Sequence, residues 1–163
     1  MKNNLHELST IALLAVLILI SGSFKIPSPI IGGEFQLSAP IAVLICTCFG
    51  FKRYISAGII ASMLGLLLGM HNIINVIVQM VFRLVAGGTI AILGSNLPAV
   101  IISGPLGTFT ARLVIWQITG INWQILIAAA VPGMIFTSVT AGIFYKPVQN
   151  LLKYILPESK VKN

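Results

Sequence analysis

The sequence predicts an all-α membrane protein: six transmembrane helices, both termini cytoplasmic, and a first outer loop that re-enters or caps the bundle. Composition is the first reason. Of 163 residues, 57% are hydrophobic and 8% charged, with a mean hydropathy of +1.03. A water-soluble domain carries charge on about a quarter of its residues because its surface must be solvated, so this surface faces lipid. The second reason is a succession of apolar runs close to the ~20 residues that cross a ~30 Å hydrocarbon core, or ~17 where span ends are covered. The third is the clustering of Lys and Arg in alternate connections, which sets orientation.

In chain order the spans are expected at 8–23, 37–51, 54–70, 73–93, 98–119 and 124–145, the second being short for its task. With the N-terminus inside, the cytoplasmic side holds Lys2, Lys52, Arg53, Lys146, Lys153, Lys160 and Lys162, and the outside holds Lys25. That asymmetry requires an even number of spans. Residues 147–156 place Val148, Leu151, Leu152 and Ile155 on one helical side, as expected of an amphipathic helix lying on the cytoplasmic surface. Residues 157–163 read as a flexible tail, and the whole chain as a single membrane domain.

The same composition excludes much chemistry. The acidic residues are Glu7, Glu34 and Glu158, with no Asp, so an Mg-binding Asp pair, an EF-hand and a Ser-His-Asp triad are absent, as is a phosphate-binding GxxxxGK[ST] loop. His6 and His71 fall on opposite membrane faces, and Cys46 and Cys48 have no ligand partners at metal spacing. Neither a metal site, a cofactor nor an enzyme is expected. The +7 net charge is scattered between apolar runs without interleaved aromatics, which speaks against nucleic acid.

Polar residues converge on the later spans. A charged side chain inside a bilayer costs about 2.5–3.5 kcal/mol on insertion scales, so intramembrane Arg83 and Arg112 point to function. Asn72, Asn75, Gln79 and Arg83 follow spacings of three and four and share one face of the fourth span, with Arg83 about 15 Å below the outer end. Thr108, Arg112 and Trp116 form a second stripe, and Pro132, Gly133, Thr137 and Thr140 follow on the sixth span. The expected result is an outward-opening cavity between spans four, five and six. Glu34 can neutralise one arginine, and the other then seeks an anion, while Trp116 could stack on a ring. In the segment FKIPSPIIGGEFQ, Glu34 and Gln36 are the polar groups placed to reach a ligand from above. The competing reading of the stripes is interhelical hydrogen bonding alone.

Ala57, Ala61, Gly65 and Gly69 recur every four residues on the third span, with Gly58 and Ser62 beside them, and Ala12 and Ala15 form a smaller patch on the first. Small residues at that spacing admit a second helix closely, either from the same chain or from a membrane partner.

On these features, and on runs such as FKIPSPIIGGEFQLSAPIAVLI and GFKRYISAGIIASMLGLLLG, nearly the whole chain resembles the S components of energy-coupling factor (ECF) transporters. The resemblance implies a membrane subunit that captures a vitamin-like micronutrient from outside and topples in the bilayer when docked on a transmembrane T component and two ATPases. It also implies docking through small residues of the first span in an AxxxA pattern. Here that span has Ala12 and Ala15, whereas Ala57 and Ala61 match AxxxA on the third. A chain with neither a nucleotide motif nor a carboxylate within a span needs such external drive. The rival readings are an autonomous small carrier working as a homodimer, for which the two halves lack a repeat, and a ligand-free assembly subunit.

Overall fold

A computed structural model of the chain describes residues 2–27 and 34–155, with side chains over 5–24 and 37–154. Helix α1 (Lys2–Ser23) leads into a short antiparallel pair, β1 (Lys25–Pro27) and β2 (Glu34–Gln36), in which Ile26 lies opposite Phe35. Then follow α2 (Ser38–Phe49), α3 (Phe51–Leu67), α4 (Ile73–Leu93), α5 (Leu97–Thr119) and α6 (Trp123–Ile155). Among the described residues, six helices stand where six spans are expected, and β2 lies beside α1 and α6 over one end of the bundle. Lys160, Lys162, Glu158 and the tail 157–163 lie outside the described residues.

Among the described residues, four stretches are long and apolar enough to cross a bilayer by themselves: Leu5–Ser23, Ile73–Leu93, Leu97–Thr119 and Trp123–Tyr154. Helix α2, at 12 residues, covers only about 18 Å. It is held instead by neighbours, because Pro40, Ala42, Val43, Ile45, Cys46, Thr47 and Cys48 are all buried and α2 touches every other helix. Its polar backbone ends need not meet lipid. Cys46 and Cys48 are packing residues of this central helix.

The outer surface is apolar. Leu13, Leu67 and Ile92 are 70, 80 and 85% exposed, and many Ile, Leu and Phe side chains join them around the bundle. No water-soluble monomer presents such a girdle, and the chain is an integral membrane protein.

Residues 147–155 do not form a separate helix. They continue α6 through Pro147, giving 33 residues, or about 50 Å, against a hydrocarbon core of ~30 Å. Pro147 removes one ladder bond without ending the helix. At this end of the molecule Arg53 Nε of α3 lies 3.8 Å from Glu7 Oε1 of α1. Nearby, Ser95 Oγ donates to the Thr47 carbonyl at 3.2 Å, and the Tyr145 hydroxyl donates to the Ser95 carbonyl. These bonds tie α2, the α4–α5 turn and α6 together.

Candidate functional site

A cavity of about 130 Å³ opens at the other end of the bundle. Its walls are the last turns of α1 (Ile18, Leu19, Gly22), the first turns of α2 (Ser38, Ala39, Ala42) and Ala61 of α3. Beyond these come His71 before α4, then Val78, Gln79, Phe82 and Arg83, and finally Thr108, Ala111 and Arg112 of α5. The expected hollow between the fourth, fifth and sixth spans is therefore corrected: α1, α2 and α3 close the cavity where α6 was expected. Thr137 of α6 donates to the Gly133 carbonyl at 2.8 Å and packs into the space beside Gly104 of α5, which seals α6 onto α5.

Helix α4 begins at Asn72, whose side chain accepts the Asn75 backbone N–H at 2.8 Å. This N-cap satisfies an otherwise orphan donor and occupies Asn72 away from the cavity wall. Two turns further, Gln79 and Arg83 project onto α3. Arg83, only 4% exposed, donates Nη2–H to Gln79 Oε1 at 3.1 Å and Nη1–H to Ser62 Oγ, and Ser62 donates in turn to Gln79 Oε1 at 3.1 Å. A closed triangle of neutral acceptors thus holds the guanidinium, with Met80 Sδ a further 3.7 Å contact. The acceptors satisfy donors without cancelling charge.

Arg112 is different. It is half-buried against the cavity, and among the described residues it has no hydrogen-bonding or ionic partner. No acidic residue stands among the described lining. The cavity is thus an apolar hollow with cationic groups on α4 and α5 and amide, hydroxyl and imidazole groups between them. Such a combination suits a small molecule with an apolar body and an anionic end.

Of the sequence candidates, Gln79, Arg83 and Arg112 come together at the cavity. Asn72 and Asn75 sit at the start of α4, Trp116 is exposed one turn beyond Arg112, and Thr137 belongs to the α5–α6 seam. Glu34 and Gln36 lie on β2, their side chains outside those described. Among the small residues, Ala15, Ala57, Ala61 and Gly65 are buried within the chain, where α1 and α4 pack against α3, and Ala12 is exposed. Sequence reasoning missed Ser62, grouped with its small neighbours although it carries the one hydroxyl in that run. It also missed the α1 and α2 walls, whose apolar residues give no periodic polar signal.

No protein-family model matches the chain. The structure aligns, with a TM-score of 0.71 and 14% identity, over 99% of this chain and 98% of the S-component for biotin from an ECF-type ABC transporter, a crystal structure. The fold is that of an ECF S component. In sequence, the chain is 44% identical over 162 residues to Protein BioX of Lysinibacillus sphaericus, covering 99% of this chain and 98% of the relative. The chain belongs to the BioX family.

Proposed function

We propose that this chain is the high-affinity capture subunit for biotin or a closely related carboxylated molecule in ECF-type, ATP-driven uptake across the cell membrane. The observation that carries this reading is Arg112: a cation half-buried at an apolar cavity, without a partner among the described residues, in the fold of a biotin S-component. In this reading Arg112 receives the carboxylate, Gln79 and Arg83 form the polar floor, and Phe82, Val78, Leu19 and Ala42 enclose the apolar body. Glu34 and Gln36 on β2 border the mouth, with Asn72, Asn75 and Trp116 around its rim. The termini are cytoplasmic and the cavity faces outward, so the ligand enters from outside. Small residues of α1, with Ala12 exposed, meet a T component, and two ATPases supply the energy that this chain has no motif to harvest.

The test is to purify the full chain in detergent without added ligand, identify any co-purified small molecule by mass spectrometry, and titrate the emptied protein with biotin. Stoichiometric biotin binding that fails for biotin methyl ester supports the reading. Absence of binding to both, with no carboxylate co-purifying, overturns it.

A further inference from the structure

Helix α3 lends only Ala61 to the cavity lining, yet its backbone decides where two of the lining side chains lie. A Cβ built on Gly58 would meet Cδ of Arg83 and stand 2.7 Å from Nε and 3.3 Å from Cζ. A Cβ on Gly65 would meet Cδ2 of His71 and stand 2.9 Å from Nε2 and 3.2 Å from Cγ. Real Cβ atoms do not approach so closely, so the side chain in question would have to move. Gly58 and Gly65 are seven residues apart and share one helical face with Ala61 and Ser62. Arg83 and His71 both line the cavity.

We infer that Gly58 and Gly65 are positioning residues of the ligand site, their missing Cβ atoms forming the two notches that seat Arg83 and His71. The inference rests on the cavity being that site. The space beside Gly87 is taken by Phe51 and Tyr54, and that beside Gly104 by Thr137, both helix-packing contacts, while Gly88 and Gly133 face open space. Gly107 of α5 also lies against a lining side chain, Phe82, but meets its backbone carbonyl and Ala86 as well, so there it is α4 as a whole that packs close. The notch at Gly58 draws the guanidinium back against α3, where Ser62 and Gln79 hold it. A methyl group there would force the guanidinium out of that seat at the cavity wall. The small-residue stripe of α3 thereby acquires a purpose within this chain: it fixes where a bulky cation stands at the wall of the ligand site.

The test uses the purified full chain with two readouts, biotin affinity and phenylglyoxal modification of each arginine followed by peptide mass spectrometry. Gly58→Ala is expected to raise Arg83 modification several-fold and weaken biotin binding at least tenfold, while Gly88→Ala changes neither. Gly65→Ala should likewise raise carbethoxylation of His71. Should wild-type protein fail to bind biotin, the functional reading falls, and the arginine footprint still judges the notch. Arg83 staying as protected in Gly58→Ala as in wild type overturns the inference. If Gly58→Ala does not fold, Gly58→Ala with Arg83→Ala removes the colliding side chain and is expected to fold; its failure would also overturn the inference.

Discussion

Ser138 of α6 donates its hydroxyl to the Ile101 carbonyl of α5 at 2.8 Å, and Ile101 is the residue whose helical partner Pro105 removes. A proline has no N–H to return to the carbonyl four residues before it, and in a bilayer no water is at hand to take its place. The neighbouring helix supplies the missing donor, so a break in one helix becomes a bond between two.

Ser138→Ala leaves the Ile101 carbonyl without its donor and should destabilise the protein by about 1 kcal/mol. Thermal unfolding in detergent measures it. In a Pro105→Ala background the helix repairs its own ladder, and the same serine substitution should cost much less; equal costs in both backgrounds would refute the coupling.

Arg112→Glu should abolish biotin binding while insertion and thermal stability persist, because Arg112 supports no other described side chain. Losing a charged hydrogen bond of about 1.5–3 kcal/mol corresponds to at least a tenfold weaker affinity, and the reversed charge adds repulsion. Titration calorimetry on wild type and variant decides it, and unchanged affinity rejects the assignment.

Ser62→Ala removes an acceptor from a buried guanidinium and should cost about 1–3 kcal/mol, more than the same change at exposed Ser9. Ser62→Thr, which keeps the hydroxyl, should recover part of the loss. Melting temperatures of the three variants provide the comparison.

Single cysteines at Lys25→Cys and Lys52→Cys should react with a membrane-impermeant maleimide from opposite sides of intact cells, the first from outside. Native Cys46 and Cys48 are buried, which keeps their background low. Labelling of both sites from one side would contradict the orientation.

Helix positions were legible because apolar runs and turns carry them, and α4 and α5 run nearly as their patterns predict. The cavity walls were less so. A polar stripe locates a face of a helix but not the neighbour it turns toward, so Thr137 was grouped with Arg83 and Arg112 although it turns into the α5–α6 seam. The apolar residues of α1 and α2 that complete the hollow look like any others on a lipid-facing or buried helix. Pro147 read as a boundary, since proline usually ends helical runs, yet α6 absorbs it by giving up a single bond. The stripe at Ala57, Ala61 and Gly65 announced close approach, and sequence spacing alone does not say whether the approaching surface is a partner or the chain's own arginine and histidine.

Beyond the hollow, α2 carries Val43 and Cys46 into a region where Tyr54 and Val100 are also sealed from contact, and the Ser95–Thr47 and Ser95–Tyr145 bonds stitch the far end. The hollow therefore has a doorway on one side and a plug of packed side chains on the other: among the described residues it is a cup and not a channel.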